Sequence, residues 1–213
     1  MAINLEKVCW EVKKPPHNQD FDWLKELQSM RGKALYQGGL RPFFKVSDNT
    51  YSDADEYDQS CYHILAKFEG KIVGAIRLLV LDEAFNCVSA KIVGGVNQFS
   101  LIINELFPNQ KIIEVSRLTV DEIFRRSHLY LLLMAVGWSL LFKLNGQMIA
   151  NAGLKANFLI KHGGAQLFTK YAGPYNSKMY NDDVFLLYFD QRYLTDKMLS
   201  NIKEMKKILF NCF

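Results

Sequence analysis

The chain has 213 residues, 49% of them hydrophobic and 13% aromatic, which suits one globular domain over residues 1–213 and excludes a disordered or low-complexity protein. Its 26 basic and 22 acidic residues leave a net charge of +4, too mild and dispersed for a nucleic-acid-binding surface but suited to an acidic partner or an anionic substrate. Cys9, Cys61, Cys87 and Cys212 lie far apart with no CxxC pair and no clustered histidine, so neither a metal site nor a disulfide framework is signalled and buried reduced thiols are expected.

Charges interrupt the opening MAINLEKVCWEVKKPP where a secretory signal needs an unbroken apolar segment, so a cytoplasmic location is expected. In residues 20–37, Trp23, Leu24, Leu27, Met30, Ala34 and Leu35 recur at helical spacing behind Asp20, which predicts a helix with Asp20 at its N-cap, ended by Gly38-Gly39. An aromatic, turn-rich stretch follows to Asp58. Residues 62–68 and 72–81 then read as two antiparallel strands joined through Glu69-Gly70-Lys71. A short helix over 98–106, closed by Pro108, leads to a strand over 111–120 rich in β-branched residues.

The nearly all-apolar segment 129–144 predicts a buried helix ending at Asn145-Gly146; its apolar run is well short of the roughly 20 residues that a membrane span requires. Residues 147–152 complete a strand-helix-strand crossover. A further helix over 154–161, stopped by Gly163-Gly164, strands over 165–171 and 183–190, and an amphipathic helix over 195–210 capped by Thr195 close the chain. This order predicts an α+β (α/β three-layer) fold with a mixed central sheet and helices on both faces.

Several polar residues stand out against this apolar frame: Asp55 and Asp58 in DADEYD, Arg77 in VGAIRLL, and Glu114 and Arg117 in EVSRL. Charges at such spacings also fit structural ion pairs that fix a loop. The order DxxD in DEYD, then YHILAKFEGKIVGAIRLL, then ExSR in EVSRLTV resembles the acyl-homoserine-lactone synthases and the related bacterial N-acyl amino acid synthases, two branches of the GNAT acyltransferase superfamily. MRGKALY resembles the helix segment that carries the family's arginine, here Arg31, and the likeness runs over roughly residues 25 to 165.

The resemblance implies a GNAT-like fold and transfer of a fatty acyl chain from acyl carrier protein to an amino group. It places Arg31, Asp55, Asp58, Arg77, Glu114 and Arg117 in the family's charged cluster. The chemistry of the residues agrees with this. A protonated amine is no nucleophile, so a carboxylate such as Glu114 can take its proton while arginines keep that carboxylate ionised and bind the acceptor.

Three departures refine the reading. Gly38-Gly39 stands where lactone synthases carry an aromatic residue, with Phe43 and Phe44 the nearest candidates, and Leu118 follows the strand arginine where they have phenylalanine. The leucine after the strand arginine pulls toward the N-acyl amino acid branch. His128 and Tyr130 follow Arg125 where the acetyl-CoA-binding pattern needs small residues, so a carrier-protein donor is expected in preference to acetyl-CoA. At that turn Val120, Arg125 and Arg126 are the expected contacts for the acyl-phosphopantetheine thioester and for an acidic carrier protein.

The expected activity is thus transfer of a medium- or long-chain acyl group from acyl carrier protein to an amino acid, with no bound cofactor. The alternatives are a lactone synthase using S-adenosylmethionine and a non-catalytic acyl- or carrier-binding module. The apolar helix over 129–144 would then wall an acyl tunnel, or simply form core.

Overall fold

The computed structural model describes residues 5–15, 21–39, 41–82, 85–153, 168–177, 182–190, 192 and 194–210. Its strands are β1 (Cys9–Lys13), β2 (Lys45–Ser47), β3 (Thr50–Tyr51), β4 (Tyr62–Phe68), β5 (Lys71–Val80), β6 (Lys111–Val120), β7 (Gly146–Gly153), β8 (Phe168–Ser177) and β9 (Asp182–Phe189). The helices are α1 (Asp22–Gln37), α2 (Val88–Ile92), α3 (Val96–Leu106), α4 (Leu129–Leu144) and α5 (Asp196–Phe210). Seven strands form a mixed sheet in the order β1-β4-β5-β6-β7-β9-β8, and β2 pairs with β3 apart from it. The pairs β1–β4, β4–β5, β7–β9 and β8–β9 are antiparallel, whereas β6 and β7 run parallel.

The chain divides into two compact units, the first made of Met1–Leu78, Arg117–Leu140 and Ser200–Phe213, the second of Leu79–Ser116 and Leu141–Leu199. In the first, β4 and β5 turn at Glu69 (φ 50) and Gly70 (φ 79), two consecutive left-handed residues whose twist matches the flanking strands. Helix α1 lays Leu24 and Leu27 against Leu65, Ile72 and Ala75, with Phe21, Trp23 and Met30 packed at the margin. Each fully buried leucine there contributes about 1.5–3 kcal/mol of transfer free energy. Helix α4 approaches β5 through two glycines: a Cβ at Gly74 would lie 3.0 Å from Leu133 and 3.1 Å from Leu129, and one at Gly137 would lie 3.5 Å from Ile76. Those side chains of α4 therefore pack directly onto the strand. Ser139 Oγ donates to the Ile202 carbonyl and ties α4 to α5.

In the second unit Phe99, Ile102 and Ile103 of α3 are buried, and β7 pairs with β9 and β9 with β8. Helix α3 begins at Val96, two residues before the predicted start, because Gly94 and Gly95 (φ 105 and 119) make the turn that launches it.

Strand β4, strand β6 and helix α4 have their predicted bounds, and Thr195 Oγ1 accepts from Met198 N at 3.3 Å, the predicted cap of α5. Helix α1 starts differently. Phe21, in extended conformation and with no side-chain cap, is its N-cap residue; Asp20 lies outside the described residues, as do the predicted helix over 154–161 and the first three residues of the strand predicted over 165–171, whose other four lie in β8. Cys61 and Cys87 are buried thiols, and Cys9 is exposed on β1.

Candidate active site

Among the described residues two polar networks are buried, one in each unit. The first begins on α1, where Arg31 shares the buried stripe of Leu24 and Leu27 and is itself 0% exposed. An arginine on an apolar stripe needs anionic partners, and the segment after β3 supplies them. Ser52 N donates to the Phe44 carbonyl and Asp53 N to the Gln28 carbonyl, so the segment is laid along α1. An Asx turn, with Tyr57 N donating to Asp55 Oδ1, then bends it so that Asp53, Asp55 and Asp58 face the arginines.

Arg31 Nε donates to Asp53 Oδ1 at 2.8 Å, and Arg31 Nη2 reaches Asp58 Oδ2 at 2.9 Å. Arg77, from β5, donates through Nη1 to Asp55 Oδ1 at 2.5 Å and to Asp58 Oδ1 at 2.8 Å. Arg117, from β6, lies with Nε 3.1 Å from Asp53 Oδ2 and donates through Nη2 to Asp55 Oδ2 at 3.1 Å. Arg117 has φ 53, a left-handed residue inside a strand, which breaks the alternation of side chains; its guanidinium also stands 5.7 Å from the centre of the Phe44 ring.

Three guanidiniums thus alternate with three carboxylates. Burial alone would raise the Asp58 carboxyl, but Arg31 and Arg77 pull it well below the usual carboxylate range. Burial pushes Asp53 upward against the pull of Arg31 and Arg117, while its contact helps keep Arg31 cationic; with two guanidiniums touching it, Asp53 is a carboxylate at neutral pH. His63 is buried below the lattice with Nε2 2.8 Å from the Asp58 carbonyl, which can only accept, so Nε2 carries the proton. Burial lowers its pKa to about 4, leaving a neutral imidazole.

The second network surrounds Glu114 of β6, also 0% exposed. Glu114 Oε1 accepts from Ser89 N at 2.6 Å and Ser89 Oγ at 2.5 Å, and Oε2 accepts from Val88 N at 3.3 Å. The carboxylate therefore receives the first free N–H groups of α2. Asn151 Nδ2, on β7, donates to Ser89 Oγ at 2.7 Å and stands 3.5 Å from Glu114 Oε1. Cys87 caps α2 by accepting from Ala90 N, and burial together with the Glu114 carboxylate raises its thiol pKa.

Of the sequence-predicted residues, Arg31, Asp55, Asp58, Arg77 and Arg117 meet in the first network, and Glu114 lies in the second. Val120 ends β6 half-buried. Arg125 and Arg126 are exposed in the following turn, where Arg125 Nη2 donates to the Ala34 carbonyl in the last turn of α1. Asp53, Ser89 and Asn151 were not singled out from the sequence. Among the described residues no cluster of histidine, cysteine and acidic side chains could hold a metal ion.

Residues 43–135 match the family model described as acetyltransferase (GNAT) domain. No curated protein matches the chain. Among solved structures, the chain is similar to TofI in a ternary complex with an inhibitor and MTA, at TM-score 0.62 and 14% identity over 94% of this chain and 99% of that one. It is similar to BjaI, a CoA-dependent acyl-homoserine lactone synthase solved with SAM and isopentyl-CoA, at TM-score 0.60 and 14% identity over 94% and 89%. It also resembles FeeM, an N-acyl amino acid synthase from uncultured soil microbes, at TM-score 0.57 and 11% identity over 87% and 92%. The match over residues 43–135 and the likeness of this mixed sheet with its helices to these structures show that the chain has a GNAT-like fold.

Proposed function

We propose that the chain transfers a medium- or long-chain fatty acyl group from the phosphopantetheine thioester of acyl carrier protein to the amino group of an amino acid. The observation that carries this reading is the arginine–aspartate lattice. Five motif residues from four separate segments are in direct contact there, and the lattice alternates positive and negative groups. A free amino acid is a zwitterion, and such an array complements both of its charges. The Asp55 side chain, 17% exposed, and that of Arg117, 6% exposed, are more open than those of Asp53 and Arg77, and Arg31 Nη1 is a buried donor without a hydrogen bond.

In the reaction, the amine nitrogen attacks the thioester carbonyl, the C–N bond forms, the C–S bond breaks and the pantetheine thiol leaves. Glu114 takes the proton that the amine must shed, while Arg31, Asp55, Asp58, Arg77 and Arg117 hold the acceptor. Val120 and the exposed Arg125 and Arg126 receive the donor arm and its acidic carrier.

The test is mass analysis of lipid extracts from a host overexpressing the chain. An N-acyl amino acid with a free carboxylate is expected, and its absence from an expressing host contradicts the proposal. A second reading, acyl-homoserine-lactone synthesis from S-adenosylmethionine, is favoured by the fold likeness to BjaI; the same extracts would then contain a lactone.

A further inference from the structure

Asn151 is only partly buried, yet its Oδ1 is a buried acceptor without a hydrogen bond. The orientation of its amide is fixed chemically: the other end faces Ser89 Oγ at 2.7 Å and Glu114 Oε1 at 3.5 Å, and a carboxylate can only accept, so that end must be Nδ2. Ser89 Oγ in turn accepts from Asn151 and donates to Glu114. Ser89, Glu114 and Asn151 therefore form a directed chain, carboxylate to hydroxyl to amide, that ends in an acceptor needing one N–H or O–H. Register places Glu114 opposite Ile149, so Asn151, two residues along β7, presents its side chain on the face of Glu114.

We infer that Asn151 Oδ1 accepts a hydrogen bond from the amine of the acyl acceptor and that the amine's proton reaches Glu114 through the Ser89 hydroxyl. This rests on the proposed N-acyl transfer. As the C–N bond forms and the C–S bond breaks, the nitrogen gives one proton to Ser89 Oγ, Ser89 gives its own to Glu114 Oε1, and the thiolate is protonated as it leaves by return of that proton or by water. An amine is the donor the site fits, because the open atom is an acceptor beside a base already linked to a hydroxyl that can pass a proton.

The experiment uses the purified full chain with a dodecanoyl thioester of acyl carrier protein and a pool of the standard amino acids, then the best acceptor alone. Asn151→Ala is expected to raise KM for that acceptor about tenfold or more while leaving KM for the thioester within about twofold, the pattern of a lost contact to one substrate. Ser89→Ala is expected to lower kcat with the acceptor's KM little changed. Asn151→Leu removes the acceptor atom while keeping side-chain volume, so it should raise the same KM and serves if Asn151→Ala fails to fold; Asn151→Asp keeps an acceptor atom and should return that KM toward the parent value, a rescue that a merely structural asparagine would not show. A raised thioester KM with an unchanged acceptor KM, or an acceptor KM in Asn151→Asp as high as in Asn151→Leu, overturns the inference while leaving acyl transfer standing. A wild-type chain that acylates no amine removes both.

Discussion

At the scale of single residues, Glu114 has two tasks that one substitution separates. It is the proposed base, and it is also the acceptor for the first N–H groups of α2. Glu114→Gln should lower kcat/KM by about two orders of magnitude or more. Because the new amide must turn an NH2 toward a backbone N–H or the Ser89 hydroxyl, it should also cost about 1–3 kcal/mol of stability, visible as a lower Tm. Unchanged turnover would remove Glu114 from the chemistry, whatever happened to Tm. The arginines and two of the aspartates of the lattice were legible in the sequence because they fall in quotable motifs. Arg31 carried a second signal, a charge on an otherwise apolar helical stripe. Asp53 was not legible: DADEYD offers three aspartates, and only the bend of the segment along α1 decides that the first is fully buried between Arg31 and Arg117. Ser89 and Asn151 left no signal, since a lone serine in a short helix and a lone asparagine in a strand acquire meaning through contacts across 62 residues of chain.

Among the elements, those with strong periodicity or continuous apolar runs were legible, including β4, β6 and α4. Strand β1 was missed because its five residues, CWEVK, carry two charges; its pairing with β4 is supported by Glu11 meeting Lys67 at 2.9 Å, a partner the local sequence does not reveal. The β2–β3 pair was missed because its few residues are mostly exposed and show no alternation. Its placement matters for the lattice, since α1 admits the chain leaving β3 only through Gly32. A Cβ there would lie 2.7 Å from Ser52 N and 2.8 Å from Ser52 C, backbone atoms that cannot turn aside. Gly32→Ala should therefore push this segment, and with it Asp53 and Asp55, off α1. The expected loss is about 1–3 kcal/mol in thermal or denaturant unfolding, with activity falling further than stability explains. A variant as stable and active as the parent would show that the segment is free to shift.

For the molecule as a whole, acid should act through the buried histidine. The His63 pKa is lowered to about 4 in the folded state from 6.5, so the unfolded chain binds the extra proton first. Stability from this group is complete above pH 6.5 and is lost as pH falls toward 4, on the order of 3 kcal/mol in all. Asp58, held low by Arg31 and Arg77, adds a further loss below the ordinary carboxylate range. Denaturant unfolding from pH 7 to 4 should show the decline, and His63→Gln should flatten its upper part; an equal decline in that variant would assign it elsewhere. At the surface, Arg125 is committed to the Ala34 carbonyl, so Arg126→Glu is the cleaner probe of carrier docking. It should raise the apparent KM for acyl carrier protein and weaken its salt dependence, while a small acyl-pantetheine thioester is used as before. Equal loss on both donors would mean that the turn shapes the site instead of steering the carrier. The measurement that bears most directly on the central claim is mass spectrometry of the products formed by the purified chain from acyl carrier protein thioesters and amino acids, with S-adenosylmethionine offered in parallel. The account predicts an N-acyl amino acid with its carboxylate free and stoichiometric release of the carrier thiol. A homoserine lactone formed only with S-adenosylmethionine, or no acyl transfer to any amine, would contradict it.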